Sequence, residues 1–186
     1  MSDFDALLSL YHRAFPLSER RADDAFVRSI ESPDYRLHIH READRIIGFA
    51  LCFTPRSDSF SLLEYLAVDS AHQGKGVGSQ LLGACLSGRP LLIEVESPTV
   101  SPAAARRIEF YRRHGCHLID GLDYLLPLPN NPPPMKLMIH ALANRVLDGE
   151  TLKHWLSRIY VDVYGCERAD PRLIAMNAQF NQILPI

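Results

Sequence analysis

The stretch Gln73-Gly74-Lys75-Gly76-Val77-Gly78 constrains the fold more than any other part of this chain. It follows an apolar run that ends at Val68. It opens a segment in which Val77, Leu81, Ala84 and Cys85 fall on one helical stripe, with Ser79 and Gln80 facing away. A strand, a glycine turn and an amphipathic helix therefore follow one another directly. Glycine lets backbone approach a ligand without interference from Cβ, and the N–H groups of a helix N-terminus can hold phosphate oxygens. A pyrophosphate would suit this turn. The P-loop pattern is absent, and the dinucleotide fingerprint would need glycine where Ser79 stands. Taken alone, the cluster also reads as a turn that only eases strand-to-helix packing.

The elements around the turn can be read in order. Leu7, Leu8, Tyr11 and Phe15 recur at helical spacing, and a second helix around Ala25, Phe26, Val27 and Ile30 stops at Ser32-Pro33. Tyr35 to His40 alternates, Arg41 to Asp44 is turn-like, and Ile46 to Phe53 suits a buried strand, which predicts an antiparallel hairpin. Ser59 to Val68 is a third strand. Beyond the glycine turn and its helix, Gly88-Arg89-Pro90 is a stop and Leu91 to Glu96 a returning strand, expected to run parallel to the one ending at Val68. Ala103 to His114 reads as a helix with Ala104, Ile108 and Tyr111 on one face and Glu109 spaced to pair with Arg113. His117 to Asp120 and Met135 to Ala141 read as late strands. The proline-rich segment between them is expected to be stiff and exposed. Asp148 as N-cap, Leu152, Trp155, Leu156, Ile159, Tyr160, Val163 and Tyr164 at helical spacing, and Gly165 as a stop give a last helix. The reading is an α+β domain over residues 1–143, with a C-terminal helical extension over 144–186 packed on it.

Composition narrows the function. With 20 Lys plus Arg against 22 Asp plus Glu, the net charge is −2, so no field draws in nucleic acid or an anionic bilayer. The acidic start Met1-Ser2-Asp3-Phe4-Asp5 is unlike a signal peptide, and no apolar run reaches the roughly 18 residues needed to span a membrane. Cys52, Cys85, Cys116 and Cys166 are scattered and read as buried thiols in a cytoplasmic, reducing compartment. No metal site is expected, and His38 and His40 are expected to face solvent.

With Leu63-Glu64-Tyr65-Leu66-Ala67-Val68-Asp69 ahead of it, the pattern Gln73-x-x-Gly76-x-Gly78 resembles the acetyl-CoA-binding motif of the GNAT superfamily of N-acetyltransferases. Phe110-Tyr111-Arg112-Arg113-His114-Gly115 is similar to that family's run near its catalytic acid. The two matches and the element order span residues 4 to 141. The resemblance implies a splayed mixed sheet of six to seven strands flanked by helices. It also implies that backbone groups of Leu66, Ala67 and Val68 hold the pantetheine arm of acetyl-CoA, and those of Gln73, Gly74, Lys75, Gly76, Val77 and Gly78 its pyrophosphate. One departure is Ala104, where the family often has asparagine. Arg106, Arg107, Arg112 and Arg113 could offset a lost contact, or form a solvated face.

The chemistry implied is transfer of an acetyl group to a primary amine by direct attack through a tetrahedral intermediate. An alkyl amine with pKa near ~10 must lose a proton before attack. Glu64 is the leading candidate base, acting through water, and shares a face with Leu66 and Val68 if its strand is regular. Its alternative is no catalytic part. Glu94 and Glu96 share a face of the neighbouring strand and are rival bases, grips for a cationic acceptor, or a solvated edge. Tyr111 is the implied acid for the departing thiolate, and otherwise a core aromatic. No cysteine has an adjacent base signal, so a covalent route is disfavoured.

The amine acceptor is not identified by sequence. Asp120 to Tyr124 and the proline segment are expected to border its cleft. The C-terminal helix is expected to cap the sheet, the alternatives being to cover the acceptor site or to meet a second subunit in a homodimer. Two rival functions stand beside the transferase: a non-catalytic acyl-CoA-binding sensor or interaction module, and an enzyme using a longer acyl group.

Overall fold

A computed structural model describes residues 2–86, 88–129, 131–141 and 147–180. The chain divides into two units, Met1–Leu91 and Leu92–Ile186. The expected domain boundary between 143 and 144 lies outside the described residues.

The first unit begins with helix α1, Asp3–Ala14, whose start is fixed by Ser2 and Asp5 in a reciprocal capping box. Helix α2 is Asp23–Glu31. Strands β1, Tyr35–Glu42, and β2, Arg45–Phe53, form the expected antiparallel hairpin, longer than its alternation suggested. Strand β3, Ser61–Val68, pairs antiparallel with β2, giving the order β1-β2-β3. Alternation in β1 is imperfect: Ile39 is exposed, while His38 and His40 are half-buried rather than open to solvent. Burial depresses the pKa of His38.

The two faces of this sheet are covered differently. On one, Tyr11 of α1 stacks on Phe26 of α2 at 4.1 Å, and Tyr65 and Phe49 meet these rings edge-on. On the other lies helix α3, Val77–Cys85. A Cβ at Gly48 would stand 3.0 Å from Ala67 O and Leu81 Cδ1 and 3.1 Å from Val77 Cγ1, so α3 rests directly on the backbone of β2 and β3. Val77, Leu81, Leu82 and Cys85 are buried in α3, but Ala84 is exposed. At about 100° per residue the buried arc is centred between Leu81 and Cys85, which leaves Ala84 just past its edge.

The β2–β3 ladder is interrupted. Leu51 pairs with Tyr65 and Cys52 with Leu63, so Glu64 is the extra residue of a β-bulge. This corrects the face expected for Glu64. Leu66 and Val68 pair with Ala50 and Gly48 and share the α3 face. Glu64 instead reaches Arg21, beside Tyr65, on the α1–α2 face.

In the second unit, β4, Leu91–Glu96, β5, His117–Leu118, and β6, Met135–His140, lie in the order β4-β6-β5. Strand β5 is shorter than expected, although Ile119 N–H still donates to Leu137 O at 2.9 Å. Helix α4, Pro102–Arg113, starts with Ser101 as N-cap and proline in its first turn. Glu109 lies 4.0 Å from Arg112 rather than pairing with Arg113. The proline segment is not simply exposed, since Leu126, Pro127 and Leu128 are buried. Prolines keep it out of a ladder while its leucines still bury.

Helix α5, Gly149–Arg158, begins at Asp148, whose carboxylate accepts from Thr151 N–H as expected. It continues as a π-helical turn, Ile159–Val163. Helix α6, Pro171–Gln179, which the sequence pattern did not separate, is capped by Asp170. The result is a mixed α+β fold with six described strands and flanking helices.

Gly48→Ala should lower stability by about 1–3 kcal/mol, because the methyl must push α3 off the sheet or distort Ala67. A urea midpoint equal to that of the wild type would show that the seat can relax.

Candidate cofactor and catalytic site

The turn between β3 and α3 is held by side chains within the first unit. Asp69 accepts from Ala71 N–H at 3.1 Å and so caps the short turn Ser70–His72. Buried His72 has Nε2 3.0 Å from Glu42 Oε2, on β1, and Nδ1 3.4 Å from Asp69 Oδ1. The Gln73 side-chain amide donates to Val68 O at 3.2 Å, tying the turn to the end of β3.

Gly74 and Gly76 adopt φ of 76° and 85°, and a Cβ on either would meet nothing within 4 Å. Their need for glycine is therefore conformational, and the space above them is open. Gly76 is the N-cap of α3, where no side chain caps the helix. The first-turn N–H groups thus face an open approach with the positive end of the helix dipole behind them. Lys75 is exposed beside them. Residues 73 to 78, the expected diphosphate cradle, form this turn, with 73 to 76 exposed. Leu66 and Val68 are half-buried on the α3 face, whereas Ala67 points to the opposite face.

Glu64 has a different setting from that of an open carboxylate. Arg21 Nη2 lies 2.7 Å from its Oε1, and the two side chains are 8% and 1% exposed. Arg21 also donates to Ser29 Oγ at 2.8 Å, while its backbone N–H donates to Tyr65 Oη at 3.2 Å. Tyr11 Oη donates to Tyr65 Oη at 3.1 Å. Burial raises the pKa of Glu64, and Arg21 offsets only part of that rise. Sequence reasoning missed Arg21, because 43 residues separate it from Glu64 and no local pattern joins them.

In the second unit, Tyr111 is buried on the α4 face that also carries Ala104 and Ile108, as the helical spacing predicted. Arg107, one of the arginines considered for phosphate binding, is 2.8 Å from Glu96 Oε2. Glu94 and Glu96 alternate with the buried Ile93 and Val95, so they share a face. Glu94 accepts at both oxygens: Tyr124 donates to Oε1, and Tyr164 donates to Oε2 at 2.6 Å. That two-tyrosine grip was not legible in the sequence. Among the described residues, no cluster of three His, Cys, Asp or Glu could hold a metal, and no helix is long and apolar enough to cross a membrane.

Residues 33–115 match the family model for the acetyltransferase (GNAT) domain. Solved structures agree with the fold. A Bacteroides thetaiotaomicron protein assigned to the GNAT acetyltransferases is 29% identical, with a TM-score of 0.72, covering 88% of this chain and 93% of its own. The ribosomal-protein-S18-alanine N-acetyltransferase of Escherichia coli is 21% identical, with a TM-score of 0.58, covering 78% and 94%. Naa50 of Arabidopsis thaliana, solved with a bisubstrate analogue of coenzyme A, is 19% identical, with a TM-score of 0.58, covering 76% and 95%. No curated protein sequence matches the chain.

Asp69 is held below the usual carboxylate range chiefly by the Ala71 N–H, with His72 and Arg13 adding to the effect. A depressed folded pKa contributes stability above the unfolded range, and that contribution is lost as pH falls through the folded value. Asp69→Asn should therefore lower the urea midpoint at pH 7, with the gap to wild type closing below about pH 4. A gap that persists undiminished at acid pH would show that the carboxylate's charge is not what holds the turn.

Proposed function

We propose that this chain moves an acetyl group from acetyl-CoA to a primary amine by direct attack on the thioester. The observation that carries this reading is the uncapped start of α3, opened by two left-handed glycines, within the segment that matches the family. The amides of Gln73, Gly74, Lys75, Gly76, Val77 and Gly78 would hold the diphosphate, and backbone groups of Leu66, Ala67 and Val68 the pantetheine arm. Acetyl-CoA would supply the activated acyl carbon. His72 orders this cradle from behind. His72→Ala should lower affinity for coenzyme A several-fold by calorimetry, and unchanged affinity would remove His72 from the binding argument.

The amine attacks the thioester carbonyl after losing its proton, and the carbon–sulfur bond then breaks as the thiolate takes up a proton. Tyr111 is the proposed acid for the thiolate, since a phenol with pKa near ~10 can donate there. Glu64 is the proposed base, acting through water. Its raised pKa favours taking up a proton, whereas its pairing with Arg21 requires that pair to open. Glu94 is the competing base. The four free cysteines, three of them buried, fit a cytoplasmic setting.

A second reading is favoured by the seclusion of Glu64: the domain binds acyl-CoA without turnover, and the Arg21–Glu64 pair serves the fold. Free-thiol release from acetyl-CoA with n-butylamine, spermidine and a peptide bearing an N-terminal alanine separates the two. The transferase reading expects release with at least one amine. Tight coenzyme A binding with no release from any acyl-CoA tried would favour the sensor. Tyr111→Phe should cut turnover by about 10²-fold or more while coenzyme A affinity holds. A loss in Glu64→Gln that Glu94→Gln does not share supports Glu64 as base, and the reverse pattern reassigns it.

A further inference from the structure

Between α1 and α2 the chain crosses residues 16 to 22 without burying any of them. The short turn Leu17–Glu19 has no buried side chain, and Leu17 is 66% exposed. A segment with no apolar anchor depends on polar bonds for its position. Two phenols supply such bonds at Arg21. Its N–H donates to Tyr65 Oη at 3.2 Å, its carbonyl accepts from Tyr11 Oη at 3.2 Å, and the two hydroxyls lie 3.1 Å apart. Both backbone groups of one residue are thus tied to one pair of hydroxyls. Both rings are buried, and Tyr11 stacks on Phe26 and meets Tyr65 edge-on, so packing fixes where the hydroxyls stand.

From that backbone anchor the Arg21 side chain runs to Glu64 at 2.7 Å and to Ser29 Oγ at 2.8 Å. The bulge in β3 explains why carboxylate and phenol come from neighbouring residues. In a regular strand Glu64 and Tyr65 would face opposite ways, whereas the extra residue turns both toward α1 and α2. The proposed base and the phenol that holds its cation therefore sit side by side.

We propose that Tyr65, with Tyr11, is a positioning residue that holds the Arg21 backbone so that the guanidinium returns to Glu64 after each proton transfer. The pair opens at the side chain while the backbone stays in place. The amine's proton passes through water to the Glu64 carboxylate. The returning cation favours the ionised carboxylate, which gives that proton up to solvent and is ready again. Tyr35 from β1 and Cys52 from β2 also bear on Glu64. Their pKa values are raised, as are those of Tyr11 and Tyr65, by burial for the phenols and by Cys85 and burial for the thiol. These groups are neutral at pH 7, which leaves Arg21, among the described residues, as the cation that acts on Glu64. This inference rests on Glu64 being the base of the transfer proposed above.

The test follows kcat against pH at saturating amine, with acetyl-CoA and n-butylamine, spermidine or the alanine-starting peptide. Wild type is compared with Tyr65→Phe, Tyr11→Phe, Arg21→Gln and the double variant of Tyr65→Phe with Arg21→Gln. Loosening Arg21 weakens its pull on Glu64, so the carboxylate's pKa rises and the acid limb moves to higher pH. Tyr65→Phe and Tyr11→Phe should each move that limb up by about one pH unit, and Arg21→Gln by at least as much. The double variant should move it no further than Arg21→Gln alone. Calorimetric affinity for coenzyme A should stay at the wild-type value, and if one phenylalanine variant has failed to fold the other answers in its place. Cleavage of the folded protein by trypsin after Arg20 or Arg21 should quicken about fivefold or more in both phenylalanine variants. An acid limb that stays at the wild-type pH in Tyr65→Phe overturns the proposal even if cleavage quickens, because Tyr65 then serves the fold alone. A further full shift in the double variant also overturns it, since the phenol would then act on Glu64 by another route. Either result leaves the transferase reading in place. Full activity in Glu64→Gln removes the base and this proposal with it, while no thiol release by the wild type with any amine overturns the transferase reading as well.

Discussion

Helix α3 can lie against β2 and β3 only because Gly48 places no side chain between them, and most of the proposed cofactor cradle depends on that contact. The close seat fixes where the first turn of α3 begins. Gly74 and Gly76 then carry the chain from strand to helix through left-handed backbone, leaving the helix start without a side-chain cap. Such a start is ordinarily a defect, since its N–H groups need partners. Here Asp69, His72 and Gln73 supply the order that a cap would have supplied, from outside the helix. The turn is held firmly while its amides stay accessible, which is the condition for binding an anion without first reorganising the loop.

The bulge at Glu64 separates two tasks that a regular strand would have combined. Leu66 and Val68 keep the α3 face, while Glu64 and Tyr65 turn toward α1, α2 and Arg21. A buried ion pair of this kind adds little net stability compared with an apolar pair, yet breaking it by removing one partner leaves an uncompensated charge. Glu64 is therefore costly to isolate from Arg21. The same burial that raises its pKa also keeps water away, so proton uptake there must be coupled to movement of Arg21 or of the loop that carries it. Glu94 differs in that both of its oxygens accept from tyrosine hydroxyls.

Much of this was legible in the sequence where the signal was local. The turn at residues 73 to 78, the hairpin, the buried face of α4 and the cap at Asp148 all follow from spacing within a few residues, and each is present. What was not legible depends on distant partners or on register. Alternation assigns Glu64 to the wrong face because one extra residue shifts the pattern, and nothing in Leu63-Glu64-Tyr65 announces a bulge. Arg21 looks like any arginine between two helices. The proline segment reads as exposed because proline excludes a ladder, but exclusion from a ladder says nothing about where Leu126 and Leu128 go. Tyr164 was legible as a helical residue, whereas its aim depends on a π turn that hydrophobic spacing does not reveal.

That aim gives the extension a reason to be built as it is. A helix needed only to bury Leu152, Trp155, Leu156 and Ile159 could end at any convenient residue once its apolar face was covered. Instead α5 runs on into five further residues of less favourable helical geometry and stops at a left-handed glycine immediately after Tyr164. The poorer geometry is offset by the bonds it permits, from Tyr160 to the Leu125 backbone and from Tyr164 to Glu94. The first ends beside Tyr124, and the second ends on the carboxylate that Tyr124 also holds. An element outside the family-matched residues 33–115 thus controls a carboxylate that lies within them, on β4.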